Sequence, residues 1–474
     1  MLDLIIRNAT IVTMDAEHRI LPNASIAIEG GRIIEIGPQV QGPARKVIDA
    51  QGLAALPGLI NTHTHVYQAL IEGIGYDMHF DPWNWRFLFP IVSKLGPEEA
   101  EISALVAALE MIKSGTTTVS DHWYLHTDFE NVRRVAGAFR RAGMRHHCVY
   151  GLLDQTFAGE RIESEYMTMI QREDALIEDA TDFIDHWHKK GLTTVALGPG
   201  STEDISPRLM RKTIEMADRM GLSVATHVAG WAEIVSTSVK QFGMRDLEYV
   251  HSVGLTGPKN IIIHAVWLSD REINTVVETG TKVAHCPVAN MHLGYGAAPI
   301  AQMLARGVTV GLGTDGAASY TYDLFEVAKT AAMLQKVQHL DAECVTAEQA
   351  LEMATSGGAG VLGLEGEVGT LERGKRADVI LVDLKQPHLM PGGRLAAKLV
   401  YSARGSDVVT TIIDGQVVME NRTVLTLDEA KILEQAEQMT QRLVEKAGPE
   451  TAALLNAPWP QSGAAWRGGV VRRS

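Results

Sequence analysis

The chain has 474 residues, of which 46% are hydrophobic and 21% charged, as is usual for a globular enzyme with a large core. Its formal net charge of −14, with no long basic run, argues against nucleic acid as a partner, because phosphate binding requires clustered Lys and Arg. The three scattered cysteines, Cys148, Cys286 and Cys344, suit a reducing compartment, and no apolar run is long enough to span a membrane. We therefore expect a cytoplasmic protein with no membrane partner.

Residues 1–57 are predicted to form short β-strands joined by turns. The segment Glu29-Gly30-Gly31-Arg32 has the composition of a hairpin turn. Strand-like runs cover residues 4–8, 10–14, 25–29 and 32–36. This β unit is too small to be stable alone, so we expect it to pack with another part of the chain.

From residue 58 to residue 370, strand-like runs alternate with amphipathic helical stretches. One helix is predicted over Pro97–Ser114, because acidic residues occupy its first turn and Gly115 follows its end. Further strands are predicted at 116–120, 144–150, 194–198, 223–227, 261–264, 282–285 and 308–311. Eight such alternations predict an α/β fold with a TIM-like (β/α)8 barrel.

After the barrel, residues 371–425 return to a β pattern. We expect them to complete the small sheet begun by residues 1–57, which makes the minor domain a discontinuous β-sandwich built from both chain ends. Residues 426–474 are predicted to contain a C-terminal helix, at about 427–447, and a tail. The Gly- and Arg-rich tail at 458–474 is predicted to be mobile or to act as an oligomer arm.

The segment Asn61-Thr62-His63-Thr64-His65 places two histidines at alternate positions of a predicted strand. Alternation turns both imidazoles to one face, which makes half of a metal site. Further strand ends carry His227, His264, His285 and Asp315. Taken singly, each histidine is explained as a hydrogen-bonded structural residue and Asp315 as a turn residue before Gly316. Together at the catalytic end of one barrel they predict a divalent metal site, for which imidazole and carboxylate ligands favour Zn or Fe.

These motifs give the chain a resemblance that covers nearly its whole length. It resembles the amidohydrolase superfamily, in the branch of cytosine, guanine and S-adenosylhomocysteine deaminases and triazine hydrolases. The motifs that carry the resemblance are Leu56–His65, Ser114-Gly115-Thr116-Thr117-Thr118, Ala284-His285-Cys286-Pro287, Asn290-Met291, 313–319 (GTDGAAS) and 374–378 (GKRAD).

The resemblance implies one divalent metal, preferably Zn with Fe or Co as alternatives, held by His63, His65, His227 and Asp315. It places His264 beside the activated water and implies a homodimer or higher homo-oligomer. Asp315 is then the residue that takes a proton from the water, and His264 steadies the developing charge.

The loop after the third histidine departs from the deaminase pattern, in which His-x-x-Glu supplies a proton-shuttling carboxylate. Here the segment is His227-Val228-Ala229-Gly230, and glycine cannot transfer a proton. Glu233, three residues further on, can replace it only if the loop folds back, and is otherwise explained as a solvated or helix-capping residue. As the candidate replacement it completes the predicted catalytic set with His264 and Asp315. Aromatic and polar residues near the predicted pocket are candidate substrate contacts: Trp83, Trp85, His122, Trp123, Asn290 and Tyr320.

A leaving group that needs little protonation tolerates the loss of the shuttle. The sequence therefore favours a metal-dependent hydrolase of an N-heterocyclic, urea or carbamate-like small molecule, comparable to triazine, phenylurea and thiocarbamate hydrolases, which acts on carbon–nitrogen bonds other than peptide bonds. The alternative is a deaminase of a purine, pterin or nucleoside with Glu233 as a displaced shuttle. A third hypothesis, a non-catalytic barrel, is disfavoured by the complete metal set.

Overall fold

The computed structural model describes residues 1–40, 42–155 and 164–456. The predicted tail at 458–474 lies outside these residues. Within the described ranges, we find no helix that combines the length and the apolar character needed to cross a membrane.

The N-terminal segment forms five strands of a small sheet. These strands are β1 (Leu2–Val12), β2 (Ile20–Glu29), β3 (Arg32–Gly37), β4 (Ala44–Asp49) and β5 (Leu53–Pro57). The predicted hairpin turn joins β2 to β3, and both its glycines have positive φ angles, 58° for Gly30 and 73° for Gly31. Non-glycine residues rarely adopt this conformation, which explains the Gly-Gly pair.

The next eight strands are parallel and form the wall of the predicted barrel. They are β6 (Leu59–Thr64), β7 (Thr116–Trp123), β8 (Arg145–Leu152), β9 (Thr193–Pro199), β10 (Val224–Val228), β11 (Asn260–His264), β12 (Lys282–His285) and β13 (Val310–Leu312). Each strand pairs with the next along the chain, from β6 to β13. The fold prediction is confirmed, and the strand ends converge at one face as such a barrel requires.

Helices connect and cover the barrel strands. The helix predicted at Pro97–Ser114 is present with those bounds, and Gly115 ends it in the left-handed conformation. The longer α-helices are Pro97–Ser114, Glu130–Ala142, Glu173–Trp187, Pro207–Met220, Ala232–Phe242, Asp270–Thr279, Leu324–His339, Ala347–Ala354 and Glu429–Ala447. The shorter ones are Phe80–Trp83, Phe89–Val92, Ser164–Met167, Asp246–Ser252, Pro287–His292, Ile300–Ala305, Ser356–Leu362, Leu395–Tyr401 and Pro449–Leu455, with 3-10 turns at Val66–Ile71 and Gly405–Asp407 and a π turn at Asn84–Leu88.

The chain returns to the small sheet after the barrel. The last strands are β14 (Val379–Asp383), β15 (Val408–Ile413), β16 (Gln416–Glu420) and β17 (Thr423–Val424). β14 pairs antiparallel with β5, so strands from both chain ends join in one nine-stranded sheet. This confirms the discontinuous β unit. The domain boundaries at 57, 370 and 425 stay predictions.

The barrel closes where β6 meets β13, through hydrogen bonds between short segments around the strand ends. The carbonyl of His63 accepts hydrogen bonds from the backbone N–H groups of Thr314 and Asp315, both at 3.0 Å. The side chain of Asn61 donates to Thr314 Oγ1 at 2.8 Å. Gly313 permits this approach, because a Cβ there would lie 2.9 Å from the His63 carbonyl oxygen.

A buried ion pair ties the barrel to the small sheet. Arg145, at the start of β8, makes two hydrogen bonds to the carboxylate of Asp378, at 3.0 and 3.1 Å. Asp378 precedes β14, and its carbonyl accepts a hydrogen bond from Gly58, just before β6. The pair therefore holds the start of the first barrel strand against the sheet.

We expect Asp378→Ala to lower the free energy of unfolding by about 3–5 kcal/mol, because it removes both hydrogen bonds to the largely buried Arg145 guanidinium and leaves only Asp414, at 3.8 Å. Urea denaturation measures the change. Glu348→Ala is the matched control, since it breaks a solvent-exposed ion pair with Arg394 and is expected to cost less than about 1 kcal/mol. Equal losses in the two variants would contradict the role given to the buried pair.

Candidate metal centre and active site

The histidine pair at the end of β6 supplies two candidate ligands. Strand alternation turns His63 and His65 to the same face, and their ring centroids lie 4.6 Å apart in an edge-on arrangement. Thr64 points the other way and donates a hydrogen bond to the carbonyl of Asp315 at 2.5 Å. Alternate residues of one strand thus present imidazoles to the site and tie the strand to the last ligand.

His227 and Asp315 complete a group of four. His227 ends β10, and its ring centroid lies 5.0 Å from that of His63. Asp315 Oδ1 lies 3.4 Å from Nε2 of His63 and 3.4 Å from Nε2 of His65. The four candidate ligand atoms all lie within 4.8 Å of one another, a spacing that suits a single ion. The structure therefore brings together the four residues predicted as metal ligands.

Hydrogen bonds from the far side of the rings orient two of the imidazoles. His65 Nδ1 bonds to the carbonyl of His122 at 2.7 Å, and His227 Nδ1 bonds to the carbonyl of Gly200. A proton on Nδ1 leaves the lone pair on Nε2, the atom that faces the centre of the group. Within the described residues, the buried Nε2 of His63 has no hydrogen-bond partner, so a metal ion would satisfy it.

Burial also favours the protonation state that binds metal. Loss of solvent lowers the pKa of His63 and His65 well below the usual histidine range, with further lowering from neighbouring imidazoles. Loss of solvent lowers the pKa of His227 as well. These side chains are therefore neutral near pH 7, and neutral imidazole is the form that binds a metal.

His264 lies beside the group of four without belonging to it. Its Nε2 is 3.9 Å from Asp315 Oδ2, and its Nδ1 bonds to Asn290 Oδ1 at 2.9 Å. Burial lowers the pKa of His264 to about 4. A neutral imidazole with Nδ1 protonated presents a lone pair on Nε2, so His264 can accept a proton or a hydrogen bond at the edge of the site.

A cavity of about 490 Å³ opens above these residues. Part of its wall is aromatic and includes Phe80, Trp83, Trp85, Tyr124, Trp231 and Tyr295. Trp231 and Tyr295 stack with ring centroids 5.6 Å apart, and Tyr295 is edge-on to His264 at 5.8 Å. A flat substrate fits against such rings, while polar groups at the floor orient its reacting atom.

Residues 54–418 match the model of the amidohydrolase family. The chain belongs to this family. A 5'-deoxyadenosine deaminase from Methanosarcina acetivorans is 37% identical to it over 450 residues, which cover 94% of this chain and 100% of that protein. The family resemblance expected from the motifs is therefore confirmed, and with it the prediction of a metal-dependent amidohydrolase.

Solved structures of related proteins share the fold across nearly the whole chain. The crystal structure of an adenosine deaminase from Xanthomonas campestris with bound zinc has a TM-score of 0.87 and 27% identity, covering 93% of this chain and 98% of that one. An atrazine chlorohydrolase from Arthrobacter aurescens TC1, complexed with zinc, has a TM-score of 0.84 and 25% identity, covering 92% and 100%.

The candidate substrate residues of this amidohydrolase lie in different places. Trp83 and Trp85 line the cavity, whereas the other four lie outside its described wall. His122 is buried, with its Nε2 bonded to the Gly198 carbonyl at 3.0 Å, and its own carbonyl orients His65. Trp123 is buried edge-on to Tyr67.

The remaining two candidates contact the site only through other residues. Asn290 is buried and holds His264 in place. Tyr320 has a positive φ of 55°, and its hydroxyl donates to the Gly75 carbonyl at 3.2 Å. Direct substrate contact by His122, Trp123, Asn290 and Tyr320 stays a prediction without support from their positions.

The cavity also contains carboxylates. Glu233, predicted from sequence as the displaced shuttle, lies in the first turn of helix Ala232–Phe242, exposed at the cavity edge. The sequence prediction did not single out Asp81, Glu203 or Asp204, which also line the cavity. Glu203 and Asp204 follow the end of β9, so a search of every strand end for carboxylates would have found them.

Metal analysis tests the group of four. We expect His63→Ala to bind far less zinc than the wild type, which should hold about one ion per chain, because the three remaining ligands bind zinc more weakly than four. Elemental analysis after gel filtration measures the metal content. His292→Ala is the control, since His292 is exposed and lies against Tyr320. Full zinc occupancy in His63→Ala would contradict the assigned ligand set.

Proposed function

We propose that this amidohydrolase is a zinc-dependent deaminase that removes the ring-bound amine of an adenosine-type heterocycle. The observation that carries the proposal is the complete His63, His65, His227 and Asp315 group at the floor of an aromatic cavity, in a chain 37% identical to a 5'-deoxyadenosine deaminase. The zinc-bound adenosine deaminase of the same fold supports it as well. The relatives thus favour the deaminase reading, which the sequence alone had ranked second.

A bound divalent metal supplies the polarisation that makes water nucleophilic at neutral pH. Asp315 lies next to two ligand imidazoles and takes a proton from the attacking water at its free carboxylate oxygen. His264 Nε2, 3.9 Å from Asp315 Oδ2, accepts a hydrogen bond from the attacking water and steadies the charge that develops at the reacting carbon. Asn290 fixes the ring of His264 for this role.

The aromatic wall holds the heterocycle and excludes water. Phe80 packs against Trp231 at 4.6 Å between ring centroids, and Trp231 stacks on Tyr295. These rings bind a planar substrate with its reacting carbon toward the metal ligands. A cavity enclosed by these rings suits a small-molecule substrate.

A second candidate function has one specific observation in its favour. Gly230 stands where deaminases of this type are expected to carry a proton-shuttling Glu, and the atrazine chlorohydrolase shares the fold. A hydrolase of triazine, phenylurea or thiocarbamate compounds releases a group that needs little protonation, so it would tolerate Gly230.

Product analysis separates the two candidates. We expect the zinc-loaded enzyme to release one ammonia per 5'-deoxyadenosine or adenosine consumed, measured by a coupled ammonia assay. Asp315→Asn should lower kcat/KM by about 10²–10⁴-fold, because it removes a proton acceptor from the reacting atoms. His292→Ala should leave the rate unchanged. Release of chloride, alkylamine or thiol from triazines, phenylureas or thiocarbamates, with no ammonia from purines, would instead establish the second candidate.

We also propose that the enzyme works in the cytoplasm as a homodimer or higher homo-oligomer. The first point is supported by the scattered cysteines, and the second by the family resemblance.

A further inference from the structure

Deamination requires a proton donor for the departing nitrogen, and position 230 provides none. A Cβ added at Gly230 would lie 3.1 Å from Cδ2 of the His264 ring, so this position adjoins the active-site histidine. A carboxylate that replaces the missing one must therefore reach this side of the cavity from another element.

The turn after β9 is fastened to the metal group and carries two carboxylates into the cavity. The carbonyl of Gly200 accepts hydrogen bonds from both the backbone N–H and the Nδ1 of His227. The next residue, Ser201, pairs with His227 in an isolated parallel β-bridge of the backbone. The Ser201 hydroxyl accepts a hydrogen bond from the backbone N–H of Glu203 at 3.1 Å. Glu203 is thus positioned by the same turn that orients a metal ligand.

Glu203 and the loop that contains Gly230 follow neighbouring strands, since β9 pairs parallel with β10. Helix Ala232–Phe242 begins two residues after Gly230 and carries Thr237. Both Glu203 and Thr237 line the cavity. A carboxylate from the neighbouring strand end therefore lines the same cavity as Trp231 and His264, the residues next to Gly230.

The surroundings of Glu203 favour the protonated form. Burial, together with the charge of Asp204, raises the pKa of Glu203 to about 7. Burial raises the pKa of Asp204 too, and hydrogen bonds from the hydroxyls of Tyr166 and Ser201, both at 2.8 Å, partly offset this rise by stabilising the ionised form. The other charged groups that act on Glu203, Asp246 and Asp81, are acidic as well. Neighbouring carboxylates that cannot all ionise are typical of acid catalysts.

We infer that Glu203 is the catalytic acid that protonates the leaving amine, in place of a carboxylate at position 230. This inference rests on the proposed deaminase function. Glu233 is the less suitable group, because it is exposed on the first turn of its helix, whereas Glu203 is half-buried in the cavity wall.

The reaction balances with Glu203 in this role. The water oxygen bonds to the amine-bearing carbon, and Asp315 passes the first water proton to the ring nitrogen. Glu203 gives its proton to the amine nitrogen as the carbon–nitrogen bond breaks, and the electron pair of that bond leaves with ammonia. The new hydroxyl group returns the second water proton to the Glu203 carboxylate and becomes a carbonyl.

The test compares single variants of the zinc-loaded enzyme. We expect Glu203→Gln to lower kcat/KM for 5'-deoxyadenosine by about 10²–10⁴-fold with unchanged zinc content. In the wild type, kcat/KM should fall as the pH rises through about 7, because the acid must be protonated, and Glu203→Gln should lose this fall. Glu215→Gln, an exposed Glu on the neighbouring helix, is the matched control and should match the wild type.

A further variant keeps the test informative if Glu203→Gln folds poorly: Glu203→Asp should retain the pH dependence at a reduced rate. Difference infrared spectra of the holoenzyme should show a carboxyl group that titrates near pH 7 in the wild type and is absent from Glu203→Gln.

The experiments distinguish failure of the proposed deaminase function from failure of the role assigned to Glu203. If the wild type releases no ammonia from purine nucleosides, the proposed function is wrong. If the wild type is active and Glu203→Gln keeps its rate and pH profile, only the assignment of Glu203 is overturned. Transfer of the loss and of the pH effect to Glu233→Gln would overturn it in favour of Glu233.

Discussion

The barrel closes through hydrogen bonds made by the same short segments that carry the candidate metal ligands. At this seam, the carbonyl of His63 accepts from Thr314 and Asp315, and the backbone N–H of His65 donates to the carbonyl of Asp315 at 3.2 Å. Three ligands therefore take their positions from backbone closure rather than from flexible side chains. The fourth, His227, is positioned independently by the turn after β9. A small change in the register of β6 or β13 would move three ligands at once.

The barrel strands fix the positions of the candidate metal ligands, and the loops beyond the strand ends supply the other residues that determine the reaction, as expected for a barrel enzyme. The family's fold and ligand set are intact here, while the loop after β10 carries Gly230 and the loop after β9 carries Glu203 and Asp204. Carboxylates from adjacent strand ends can reach the same region of the cavity. A lost side chain in one loop can therefore be compensated from the next, with no change to the metal group.

The sequence predicted the features that depend on local pattern. Alternation in β6 placed His63 and His65 on one face, and an acidic first turn with a following glycine gave the bounds of helix Pro97–Ser114. It was less informative where tertiary packing decides the outcome. His122 and Asn290 lie close to strand ends, but neither lines the cavity: the backbone carbonyl of His122 orients His65, and the side chain of Asn290 orients His264. Glu203 has no spacing relation to Gly230 along the chain, and it is the parallel pairing of β9 with β10 that places the two loops at the same end of the barrel.

The shared sheet of the two chain ends has a consequence for how this protein matures on the ribosome. β5 ends at Pro57, yet its partner β14 begins at Val379, so the hydrogen-bonding edge of β5 stays open until the whole barrel has been synthesised. Ala54, Ala55 and Leu56 of β5 are fully buried in the finished protein, on both faces of the strand. During translation they form an exposed apolar edge, which is the kind of surface that chaperones bind and that aggregates when released early. The small sheet is thus completed late in folding. β14 covers the open edge of β5 only after all four candidate metal ligands have been synthesised.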